Sequence, residues 1–93
     1  MTKEKALEIM SLAVGGKCGE LSIHDIELHN NPDYVIIFWN DNANGLKIYL
    51  YYHLDDILEF SVSPIGRDWE EEPVEICNAT KVIRLLGEWK AGK

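Results

Sequence analysis

Three histidines (His24, His29, His53), two cysteines (Cys18, Cys77) and sixteen carboxylates could build a metal site or an activated nucleophile. Their spacing argues against both. Structural zinc draws on ligands paired at short intervals, and the sequence has no CxxC, HxxxH or HxH. His24 and His29 lie five positions apart, so a regular strand directs them to opposite faces unless a bulge realigns them. A nucleophile made from Cys18 with His24, or from Cys77 with His53, needs a third group to orient the base and an oxyanion site. No spacing supplies these. Asp55 and Asp56 beside His53 fall where a strand ends, a usual place for turn-forming aspartates. GGKCGE, residues 15 to 20, has the glycines and lysine of a phosphate loop, but it follows a helix and leads into a strand, the reverse of the order such a loop needs. The expectation is a non-enzymatic protein with no catalytic group, metal or cofactor.

What remains is charge and aromatic surface. The net charge is −7, and its distribution is uneven. Residues 18 to 66 carry eight acids against the single base Lys47, while the two flanking segments nearly balance. Nucleic acid and anionic membranes attract clustered Lys and Arg, so direct binding to either is disfavoured and a basic protein surface is the favoured partner. No apolar run reaches the roughly 20 residues that span a bilayer, and MTKEKALEIM lacks the apolar core of a signal peptide, so a cytoplasmic protein with reduced cysteines is expected.

The elements that must position these groups follow from periodicity. At 93 residues the chain predicts one domain, 1–93. Residues 2 to 14 predict a helix with Thr2 as N-cap, Ala6, Ile9, Met10 and Ala13 on one face, and glycines at its end. Residues 19 to 29 predict a strand whose apolar parity changes between Ile23 and Ile26, which requires a bulge or sharp bend near His24 and Asp25. Residues 34 to 39 and 46 to 54 predict a hairpin about NDNANG, with Asn44 and Gly45 suited to positive φ. Residues 57 to 63 predict a fourth strand with one wet face. A last helix is expected to open at Pro73 and to bury Ile76, Ala79, Ile83 and Leu86, with Val82, Leu85 and Trp89 beside them. The fold class is α+β, in the order α-β-β-β-(β)-α: an antiparallel meander of three to four strands with both helices mainly on one face.

The central hairpin is apolar on both faces. In either register Tyr49, Tyr51 and His53 lie opposite Ile48, Leu50 and Tyr52. An even loop joins Phe38, Ile36 and Tyr34 to the tyrosine face; an odd loop joins Trp39, Ile37 and Val35 to it instead. Helices take the Leu and Ile side, leaving an aromatic face with acids around it. The partner-binding residues expected from this are Trp39, Tyr49 and Tyr51, with Asp41, Asp55, Asp56 and Glu59 at the rim and Glu70, Glu71 and Glu72 as a second acidic patch. A homodimer through the same face is the alternative use.

The α-β-β-β-α order resembles that of double-stranded RNA-binding domains, which contact phosphates through basic residues at the start of their last helix. Here that region reads DWEEEP, so the resemblance implies no RNA binding. In size, charge and compactness the chain is similar to small acidic phage proteins that block host defence nucleases, anti-CRISPR proteins among them. That likeness implies a stoichiometric inhibitor whose carboxylates imitate a row of phosphates on a basic, nucleic-acid-binding surface, acting in the host cell cytoplasm if phage-encoded. An immunity-type or adaptor module, or a small-molecule-binding or enzymatic homodimer, would fit the same composition.

Overall fold

The computed structural model describes residues 1–15, 21–66 and 74–92. Gly16, Cys18, Pro73 and the acidic patch Glu70, Glu71 and Glu72 lie outside them. The chain forms α1 (Lys3–Val14), a single 3-10 turn (Ile23–Asp25), β1 (Ile26–Asn30), β2 (Tyr34–Asp41), β3 (Leu46–His53), β4 (Leu58–Pro64) and α2 (Ala79–Ala91). The strands make one antiparallel sheet in the order β1-β2-β3-β4, so the fold is α+β.

α1 starts and stops where its end residues dictate. The Thr2 side chain accepts from the Lys5 N–H, and Gly15 takes φ 64° while its N–H donates to the Ser11 carbonyl. Two more carbonyls at this end find partners far along the chain. The Cys77 N–H donates to the Ala13 carbonyl at 2.9 Å, and Asn78 Nδ2 donates to that of Leu12 at 3.2 Å. The residues just before α2 thus satisfy acceptors that a helix C-terminus otherwise leaves to water. The approach is close: a Cβ on Gly15 would lie 2.7 Å from both Cβ and Sγ of Cys77.

The expected parity change before β1 is met by a turn rather than a bulge. Ser22 accepts from the His24 N–H and opens the 3-10 turn Ile23–Asp25; the strand proper is only Ile26–Asn30, shorter than the 19 to 29 expected. Leu21 still reaches the margin of the core, while Ile26 is buried within it.

The hairpin settles in an even register, Trp39 opposite Ile48 and Asp41 opposite Leu46, around a four-residue loop. Of that loop only Gly45 has positive φ, at 67°; Asn44 does not. Asp41 carboxylate oxygens instead accept from the Asn44 N–H at 3.3 Å and its Nδ2 at 2.8 Å, which closes the loop from inside.

α2 begins at Ala79, six residues later than expected, with Val74 and Ile76 packed on the core from non-helical backbone. Its buried stripe is Val82, Leu85, Leu86 and Trp89, whereas Ala79 is exposed and Ile83 is 56% exposed. The spacing 82, 85, 86, 89 is also amphipathic, and it buries an indole where the expected stripe would bury an alanine. Both helices lie on the face that carries Val35, Ile37, Trp39, Ile48, Leu50 and Tyr52, and together they enclose the core.

Candidate functional site: the open face of the sheet

With α1 and α2 on one side, the alternation of side chains sends the other set out. Cross-strand pairing arranges that set in rows. Glu27, Phe38, Tyr49 and Ser61 form one; His29, Ile36, Tyr51 and Glu59 form the next; Tyr34 and His53 close the end. Among the described residues no helix or strand packs over these rows. Tyr34, Ile36, Phe38, Tyr49 and Tyr51 are half-buried and pack in part on one another, with ring centroids 6.0 Å apart for Phe38 and Tyr49 and 5.6 Å for Tyr34 and Tyr51. Such tilted ring pairs add to the stability of a sheet while holding the rings in place for contact with something else.

The rim is acidic. Glu27 Oε1 lies 3.2 Å from His29 Nε2, whose ring stacks edge-on against Phe38 at 5.4 Å. On the opposite edge the Tyr49 hydroxyl donates to Glu59 Oε2 at 3.4 Å. Asp55, with its side chain 80% exposed, stands beside His53, and its backbone N–H donates to His53 Nδ1 at 3.0 Å.

The expected site residues divide on this geometry. Tyr49, Tyr51 and Glu59 lie on the open face, and Asp55 stands at its end. Trp39 does not: it is 2% exposed on the helix-covered side, because the even loop turns odd-numbered residues of β2 inward. Asp41, also on that side and 3% exposed, is committed to its own loop. Asp56 faces the helices as well. Its Oδ1 accepts from the Tyr52 hydroxyl at 2.8 Å and from Lys90 Nζ at 2.9 Å, tying the turn before β4 to the end of α2. The lysine, then the tyrosine, hold its carboxyl below the usual range, and burial, then Asp56, push Tyr52 up to about 12.

The face also contains Tyr34, Ile36 and Phe38, the set that the even loop was expected to place there, and three residues not named from the sequence as part of it, Ile57, Asp25 and Glu27. Loop parity was the signal for the first three, since an even loop places them beside Tyr51. The polar alternation of Glu27 and His29 with Ile26 and Leu28 was the signal on β1. No protein-family model, curated protein or solved structure matches the chain. Among the described residues no three His, Cys, Asp or Glu side chains are grouped so as to hold a metal ion, and no helix is long and apolar enough to cross a membrane. What the face offers chemically is rigid aromatic area with carboxylates at both edges and the Asn40, Lys47, Ser63 row beside it.

Proposed function

We propose that this is a non-enzymatic binding protein of the cytoplasm that lays its open aromatic face on a basic surface of a partner protein and occludes it, as a stoichiometric inhibitor or regulator. The observation that carries this reading is the placement of both helices on one side of the sheet, with Phe38, Tyr49 and Tyr51 on the other between Glu27 and Glu59. Tyrosine in the centre of a polar rim is the usual composition of an interface hot spot. The negative rim and the net charge of −7 favour a partner rich in Lys and Arg. Carboxylates fixed at both edges of a rigid sheet are suited to replace phosphates in a nucleic-acid-binding groove, in the manner of phage anti-defence proteins.

The test is affinity capture from the native host with the unmodified protein and with Tyr51→Asp, followed by binding of the captured protein at rising salt. The reading expects one basic partner in equimolar amount, lost with Tyr51→Asp and displaced by competing DNA or RNA. A partner held equally well by Tyr51→Asp would overturn it. So would a native mass showing a tight homodimer that Tyr51→Asp dissociates, which would assign the face to self-association.

A further inference from the structure

The open face is not uniform. Two recesses flank Phe38, which walls both of them. The one towards β1, of about 390 Å³, is lined by Asp25, Glu27, His29, Phe38 and Asn40; the one towards β4, of about 510 Å³, by Ile36, Phe38, Tyr49, Tyr51, Ile57 and Glu59. Each joins aromatic surface to at least one carboxylate at its outer edge. An anionic guest is repelled by the carboxylates, and a purely apolar one would take them out of water while bringing no cation to balance their charge. A guest with a flat or long apolar stem and a cationic head satisfies both walls at once.

From this geometry we infer that each recess receives one arginine side chain, the two belonging to a single extended segment of the partner. The inference rests on the docking reading above and specifies its chemistry. Arginine suits the recesses better than lysine because its guanidinium is planar, stacks on aromatic rings, is weakly hydrated and can meet a carboxylate with two N–H groups. Glu27 already lies against His29 through Oε1, which leaves Oε2 for the guest.

The spacing follows from the register. Glu27 sits opposite Phe38 on one edge, and Glu59 sits opposite Tyr51 on the other edge, one row along. Three strand spacings of about 4.8 Å and a two-residue stagger of about 7 Å put the two carboxylates roughly 16 Å apart. An extended chain places same-side residues at even intervals, and positions i and i+4 are about 13 Å apart at strand rise. Two arginine side chains splaying outward cover the difference.

The probe is a set of ten-residue peptides on an alternating Thr/Ser background, titrated at low salt while the ring protons of Phe38, Tyr49 and Tyr51 are followed by NMR. One carries arginines at i and i+4, a second lysines at those positions, and a third arginines at i and i+3, which an extended chain points to opposite sides. The expected result is saturable movement of those ring signals, with the i, i+4 arginine peptide tighter than either control by about threefold or more, the scale of one exposed ion pair. Glu27→Gln and Glu59→Gln each weaken it by a similar factor; both residues are exposed, so neither change threatens the fold. Binding that ignores arginine spacing or both Gln variants, or no saturable shift, overturns the inference. If a native partner is lost with Tyr51→Asp yet binds the double Gln variant unchanged, the broader docking reading stands and the two-arginine inference falls. If the ring signals depend on protein concentration without peptide and the mass doubles, both fall.

Discussion

Trp39 and Tyr49 are both large aromatics on neighbouring strands, and the sequence treats them alike; one loop parity separates their fates. Trp39, enclosed by the helices, predicts a loss of about 3–5 kcal/mol on change to alanine, a cost that a domain with 5–15 kcal/mol of total stability barely survives. Tyr49→Ala, on the open face, should cost about 1 kcal/mol through its lost ring pair with Phe38. Urea unfolding of the two variants measures the difference, and equal losses would contradict the burial of Trp39. The contact between Tyr52, Asp56 and Lys90 makes a separate prediction about pH. Asp56 is depressed in the folded state, so its contribution is present at neutral pH and is lost as pH falls through the carboxylate range. Tyr52 is raised to about 12, so the neutral hydroxyl favours folding fully below its ordinary value of 10, and that contribution is lost as pH rises towards 12. Melting temperature against pH should therefore fall on both limbs. Lys90→Met should flatten the acid limb, and Tyr52→Phe should flatten the alkaline one while costing about 1 kcal/mol at neutral pH for the missing hydrogen bond.

At the scale of elements, legibility followed the range of the forces involved. α1 could be read nearly to the residue because Thr2, Gly15 and the Ala6, Ile9, Met10, Ala13 face are local signals. The even members of β4 were equally plain, as was the need for a bend before β1, but Ser63, expected on the wet face of β4, is 1% exposed. α2 was not, because two stripes compete on it. One runs through Ala79, Ile83 and Leu86, the other through Val82, Leu85, Leu86 and Trp89, and only the shape of the cleft beside α1 and β3 selects between them. In the folded chain the Trp89 indole packs edge-on against Tyr52 at 6.0 Å, a partner 37 positions away in sequence that no helical periodicity can reveal. The start of α2 is likewise set at a distance, by the Cys77 and Asn78 bonds to the end of α1. This choice of stripe is testable. Ile83→Lys should leave stability within about 0.5 kcal/mol of the parent, as at ordinary surface positions. Leu86→Ala should cost about 2–5 kcal/mol. Thermal unfolding of the pair separates this stripe from one centred on Ile83, which would make the lysine variant the damaging one.

For the whole molecule, the sequence could state that one face of the sheet would stay aromatic and that acids would surround it, but not which aromatics or which acids. Asp41, Asp55 and Asp56 illustrate why. All three sit at strand ends, yet one closes a loop from inside, one is exposed at the end of the open face, and one clamps the sheet to α2. The number of acids was therefore a poor guide to the number on the open face, and among the described residues the charge there is smaller and differently placed than the net −7 suggests. If the face docks on a basic surface, this division has a kinetic consequence. Charges off the contact act only through the long-range field, which salt screens over about 10 Å at 0.1 M, and they change the association rate; groups inside the contact change dissociation. Asp33 is exposed at the end of the sheet and outside both recesses. Asp33→Lys should slow association with the partner by severalfold at low salt, lose that effect at high salt, and leave the dissociation rate alone. Phe38→Ala should do the reverse, speeding dissociation at every salt concentration, because the wall shared by both recesses is gone. Surface plasmon resonance at two salt concentrations resolves the two rates. If both variants altered the same rate with the same salt dependence, the separation of a steering rim from an aromatic contact would be wrong, and the face would be binding through charge alone.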